Sequence, residues 1–184
     1  VKNKFASRKI DYDGSQLRSH FALDDLGIAG DSVVSFIGGC AVKEHMVDIE
    51  DSRKKEFIYS DSMLHFIIEH FDADLEKNIF RKRLFLSMIM EEVHKKTRIS
   101  RLRRIGNGLY DGNKKLTVAV ATVSPVSSLI HVGLNILRTG APIPVACLKD
   151  YGMDPKKLAC EVMKRYCAEI DSVDISRAKV KGVS

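Results

Sequence analysis

Gly108-Leu-Tyr-Asp-Gly-Asn-Lys-Lys-Leu-Thr-Val-Ala-Val-Ala-Thr-Val123, followed by Ser128-Leu-Ile-His-Val-Gly-Leu-Asn-Ile-Leu137, is the stretch that decides the fold. Asp-Gly is a preferred dipeptide for a two-residue hairpin loop, because its glycine accepts the positive φ that such turns require. The first run therefore predicts two strands joined by a tight turn at Asp111-Gly112, and the second predicts another strand over 128–137. Three consecutive strands do not belong to a doubly wound parallel sheet, in which strands and helices alternate.

Working outward, Leu75, Ile79, Leu86, Ile89, Met90 and Val93 recur at helical spacing after a capping Asp74. Glu76, Lys77, Lys82, Arg83 and Glu92 are expected on the outer side of that helix. Beyond Lys96 the chain is expected to be extended. Upstream, strands are predicted over 63–71 and over 31–37, the latter stopping at Gly38-Gly39. A helix over 16–26, capped by Asp13 or Ser15, would end at Gly27, and the charged stretch 43–55 receives no assignment. Downstream, Pro142 and Pro144 interrupt regular structure. Asp154-Pro155 starts a last helix with Leu158, Val162, Met163, Tyr166, Cys167 and Ile170 on one face. The segment 173–180 reads as a last strand or edge segment. The order α, β, β, α, three strands, α predicts an α+β fold, a largely antiparallel mixed sheet packed by helices, in one domain over 1–184.

The 184 residues carry 30 Lys/Arg, 24 Asp/Glu and a net charge of +6, with 45% apolar residues, which excludes a disordered or fibrous chain. No run is long and apolar enough for a membrane span, and the opening residues lack the apolar stretch of a secretory signal, so a cytoplasmic protein is expected. Four scattered cysteines and six ungrouped histidines indicate neither a disulfide framework nor a metal centre. Neither a GxGxxG nor a Walker-type motif is present. The segment 81–104 holds nine Lys/Arg and two Asp/Glu, so it carries +7 and leaves −1 for the rest. Arg81, Arg83, Arg101, Arg103 and Arg104, with Lys95, Lys96 and Arg98, form a candidate anion-binding surface or a solvated helix face.

The hairpin and the Ser-Ser-Leu-Ile-His-Val-Gly-Leu-Asn-Ile136 run together resemble the central signature of biotin and lipoate protein ligases and octanoyltransferases. About 40 residues carry the resemblance well, with a lysine strand leading into a "GxN" or "HGxxLN" element. Gly38-Gly39-Cys40-Ala41-Val42 is similar to the glycine-rich segment of lipoate ligases. The whole chain resembles an uncharacterised prokaryotic family of unknown function with this class II synthetase-like fold.

That resemblance implies a small-molecule-binding or acyl-transfer protein with Lys115 at the ligand site. A strand lysine pairs with a carboxylate or phosphate, stabilises an acyl-adenylate or acts as a base if its pKa falls. Lys114 is the second candidate, because adjacent strand residues face opposite sides. Both lysines also fit a solubilised hairpin end. In octanoyltransferases a cysteine carrying the acyl group follows, and Lys115, His131, Asn135 and Cys147 stand in that order. A thiol beside an ammonium is a workable acyl-transfer pair. Cys147 lies in Val-Ala-Cys-Leu-Lys, however, where that family has Pro-Cys-Gly, and a buried structural cysteine is the competing reading.

Asp13, Gln16, Arg18, Gly38 and Gly39 are candidate ligand contacts by resemblance, although capping also accounts for Asp13. Thr122, Ser124 and Ser127 offer hydroxyls to a ligand, or make a polar turn. ATP and an acyl carrier are implied by the resemblance alone. The adenylate-wrapping Gly-Arg-Gly-Arg loop of biotin ligases has no match between Ser35 and Lys55, where His45, Arg53, Lys54 and Lys55 are candidate substitutes. The alternative function is a non-catalytic module that binds RNA or an acidic protein through 81–104. Few aromatics are interleaved there to stack on bases.

Overall fold

The computed structural model describes residues 1–53, 58–97, 101–141 and 143–183. The expected hairpin forms, with a one-residue shift at its turn. Strand β5 (Gly108–Asp111) pairs with β6 (Lys114–Lys115), Asp111 opposite Lys114, so Gly112-Asn113 is the loop and Gly112 has φ 60°. The second arm then changes sheets. Leu116 turns fully into the core, and the chain resumes as β7 (Thr117–Val123), paired with β8 (Ser128–Asn135).

The main sheet has the order β1-β2-β3-β8-β7, with β1 (Lys2–Phe5) parallel to β2 (Ser32–Val42) and the other pairs antiparallel. β3 (Ile58–His70) is buried at every position from Met63 to His70, as a central strand covered on both faces must be. A smaller sheet, β4-β5-β6, begins with β4 (Leu102–Ile105). Helices α3 (Leu75–Lys96) and α4 (Pro155–Lys179) pack on one face of the main sheet around Leu64, Phe66, Phe85, Ile89, Val132 and Tyr166. On the other face, Tyr12, Phe21, Val34, Phe36, Met63 and Ile67 form a second apolar cluster under the N-terminal segment and α1 (Phe21–Leu26).

Helix caps follow the sequence. Asp74 accepts the Lys77 N–H at 2.9 Å, Asp154 accepts the Lys157 N–H at 2.7 Å with Pro155 at the first helical position, and Gly27 closes α1 at φ 70°.

Several expectations are corrected. β2 does not stop at Gly38-Gly39 but runs through them with a bulge, because the segment Ile10–Tyr12 lies against these glycines. A Cβ on Gly38 would stand 1.9 Å from the Ile10 carbonyl oxygen, and the Gly39 N–H donates to Asp11 Oδ1 at 2.7 Å. The first helix is shorter than 16–26, since Asp13 is occupied by the Ser15 N–H and hydroxyl and His20 adopts φ 66° just before Phe21. Residues 173–179 continue α4 instead of forming a strand, because extending an existing helix costs far less than nucleating a new element. In α3, Lys82 and Glu92, expected outside, are buried. The unassigned 43–55 stretch contains a short α2 (Ile49–Arg53), and Lys54, Lys55, Arg98 and Pro142 lie outside the described residues.

Candidate functional site

A cleft of about 670 Å³ opens on the second face, between the start of β7 and the β4-β5-β6 sheet. Its walls are apolar side chains, among them Val42, Ile58, Met63, Val118 and Val145, joined by the polar groups of Tyr59, Tyr110 and His45. Four sequence candidates meet there, Lys115, His131, Asn135 and His45. Among the described lining residues, Lys115 is the one lysine or arginine.

Backbone geometry aims Lys115 inward. Its N–H donates to Pro144 O at 3.3 Å and its carbonyl accepts from the Ala146 N–H at 3.1 Å, so a strand-like bridge to Val145 fixes it on one side. On the other side, Asn135 Nδ2 donates to Lys115 O at 3.3 Å and to Ala146 O at 3.4 Å. The strand alternation sends Lys114 outward, where it is exposed and does not line the cleft. Lys115 is half-buried and has no ion-pair partner among the described residues.

Two residues overlooked in the sequence hold His131 in the floor, Tyr12 beside it in the lining and His65 fully buried. Tyr12 stacks on the His131 ring with centroids 3.7 Å apart and planes 10° apart, and His65 Nδ1 lies 3.1 Å from His131 Nε2. Burial pushes the His65 pKa down to about 4, against the opposing pull of the Gly38 and Gly39 carbonyls. His131 is held well below its ordinary value by burial and then by His65. Both rings are therefore neutral near pH 7. Tyr12 ends the segment that lies against Gly38-Gly39, its N–H donating to the Gly39 carbonyl at 2.9 Å, so the double glycine was its sequence signal, read as a ligand contact instead of a close backbone approach.

The domain of unknown function DUF366 matches residues 1–181 of this sequence. The chain belongs to this family. It is 34% identical to an uncharacterised protein of Methanocaldococcus jannaschii, covering 92% of this chain and 80% of that one. Among solved structures, a protein of unknown function from Pyrococcus horikoshi superposes with TM-score 0.92 at 37% identity, over 99% of this chain and 100% of that one. The biotin protein ligase of Aquifex aeolicus in complex with biotin and ATP gives TM-score 0.61 at 14% identity, over 92% and 70%. A protein of T. acidophilum assigned as a lipoate protein ligase, with lipoic acid bound, gives 0.53 at 13%, over 92% and 86%. The last two likenesses show the fold: this DUF366 chain has the architecture of biotin and lipoate ligases.

Other sequence candidates stand away from the cleft. Cys147 lies two residues past the lining Val145 but turns into the core, 2% exposed. Its N–H donates to Asp150 at 3.0 Å and its thiol accepts the Asp150 N–H. Burial pushes the thiol's pKa up, which disfavours the thiolate that a Lys115–Cys147 pair would need. Thr122, Ser124 and Ser127 lie at the far end of β7, about 20 Å of strand from Lys115. Ser124 and Ser127 bond Ser19, and Ser127 donates to the buried Glu69 at 2.7 Å, tying the β7–β8 turn to the start of α1. Asp13 makes its turn with Ser15, Gln16 exchanges hydrogen bonds with Asp11 and Asp13, and Arg18 pairs with Asp24 and Asp25. Gly38 and Gly39 support the floor from behind without lining it.

The basic segment is divided. Arg81 grips Asp72 with two bonds of 3.0 and 2.8 Å, Lys95 pairs with Glu92, and Lys96 pairs with Glu161. Burial favours protonation of Asp72, but the bonds from Arg81 and Lys77 outweigh it and hold the carboxyl well below its usual range. Arg83, Arg101, Arg103 and Arg104 keep no ion pair among the described residues, on α3, beside β4 and within it. No helix among the described residues is long and apolar enough to cross a membrane.

Proposed function

We propose that this chain binds a small monoanionic acid with an apolar body, or its acyl derivative, in the cleft, with Lys115 holding the acid end. The observation that carries this reading is an ammonium, unpaired among the described residues, set in an apolar-walled cleft of about 670 Å³. That volume suits a compact organic ligand, and the Lys115 ammonium offers its acid end a charged donor. The fold supports the reading, since solved relatives of the same architecture hold biotin or lipoic acid. If acyl transfer occurs, the Lys115 ammonium is positioned to hydrogen-bond an acyl oxygen as negative charge develops on it. The position of Cys147 gives no support to a thioester route. A nucleoside triphosphate does not fit the described lining, which sets one lysine against its several negative charges.

Titration calorimetry with octanoate tests the reading. Wild type is expected to bind, and Lys115→Met to bind about 10- to 100-fold more weakly, the worth of one charge-assisted hydrogen bond. Equal affinity of the two proteins contradicts it.

A further inference from the structure

His131 is a buried ring in the floor of the cleft whose proton position follows from its neighbours. Its Nε2 faces His65 Nδ1 at 3.1 Å, and with both rings neutral that contact holds one proton. His65 decides which nitrogen carries it. His65 Nε2 is buried and has no partner in hydrogen-bond geometry, and the polar backbone groups acting on the ring are the carbonyls of Gly38 and Gly39. Carbonyl oxygens only accept, so a lone pair on Nε2 would face like partial charge, whereas an N–H there is attracted. The proton of His65 therefore sits on Nε2 and leaves Nδ1 as an acceptor. His131 must then donate from Nε2, and its own Nδ1 carries the lone pair. That nitrogen has no hydrogen-bond partner among the described residues, in a side chain that lines the cleft and is 3% exposed.

We propose that His131 Nδ1 is a fixed hydrogen-bond acceptor that selects ligands presenting an N–H or O–H donor to the cleft floor, with His65 as the positioning residue that sets its tautomer. The class of ligand is thereby narrowed to an apolar body with a donor such as an amide, urea or hydroxyl, in addition to the acid or acyl end at Lys115. A ligand lacking the donor leaves a buried acceptor unpaired, which costs about tenfold in affinity or more. Tyr12, stacked flat on the ring, keeps the imidazole from rotating to offer its other edge. This inference rests on the cleft being the ligand site.

Two measurements test it. A two-bond 15N–1H correlation spectrum of the histidine rings in the unliganded protein at pH 7.5 is expected to show the His131 proton on Nε2 and the His65 proton on Nε2. A proton on His131 Nδ1 overturns the proposal, whatever the cleft binds. Octanamide and N,N-dimethyloctanamide form a matched pair of probes that differ in the donor. The first is expected to bind at least about tenfold more tightly to wild type, and the preference to shrink in His65→Phe, where His131 loses its acceptor. Equal affinity for wild type overturns the donor requirement while leaving octanoate binding at Lys115 intact. Failure of both amides together with octanoate overturns the cleft reading itself. The spectrum of wild type keeps the tautomer assignment decidable if His65→Phe does not fold.

Discussion

A Cβ on Gly38 would come within 1.9 Å of the Ile10 carbonyl oxygen, and no side-chain rotation relieves a clash with backbone. Gly38→Ala must therefore lift the segment that carries Tyr12 off β2. It is expected to lower stability by about 2–4 kcal/mol, read by chemical denaturation, and to weaken ligand binding with it. Gly39→Ala meets nothing nearer than 3.4 Å and is expected to cost clearly less. The buried histidines make a second prediction. His65 titrates near its ordinary value when unfolded and at about 4 when folded, so below pH 6.5 the unfolded chain binds more protons. Stability is then greatest above pH 6.5 and falls by about 1.4 kcal/mol per pH unit down to about pH 4 from this ring. His65→Phe should flatten that acid slope in unfolding curves measured from pH 7.5 to 4.5. At this scale the sequence hid the most. Nothing local distinguishes Tyr12 or His65 from ordinary core residues, since segments far apart in the chain bring the rings together, His65 and His131 being 66 residues apart.

The elements were more legible because their signals are local. Asp74, Asp154-Pro155, Gly27 and the Asp111-Gly112 hairpin mark ends and turns through capping and φ preferences that need no tertiary information. What escaped depends on packing: the burial of Lys82 under the adjoining recess, the passage of β2 through its glycines, and the break at Leu116 that divides one arm between two sheets. That break is what presents Lys115 to the cleft while Leu116 enters the core, and Asn135 holds it by bonding the Lys115 and Ala146 carbonyls. Asn135→Ala leaves both without this donor. A loss of about 1–3 kcal/mol in unfolding free energy is expected, with weaker octanoate binding although Lys115 is retained. Unaltered stability would show that the clamp is dispensable.

For the whole molecule, the net charge of +6 acquires a distribution. Part of the excess is spent on ion pairs with Asp72, Glu92 and Glu161, while Lys115 is a lysine in apolar surroundings without such a pair among the described residues. The antiparallel sheet with helices was readable from the order of apolar runs, and the location of the proposed site near Lys115 was suggested by one strand pattern. Its boundaries were not readable, because Cys147 and the hydroxyls of 122–127 are near Lys115 in chain order yet are carried elsewhere by the core and by the length of β7. The most direct test of the central claim is a crystal structure of the protein with octanoate. A carboxylate within hydrogen-bond distance of Lys115 Nζ and an acyl chain along Val118 and Met63 is the predicted result. An acid bound elsewhere, with the cleft holding only solvent, would contradict it.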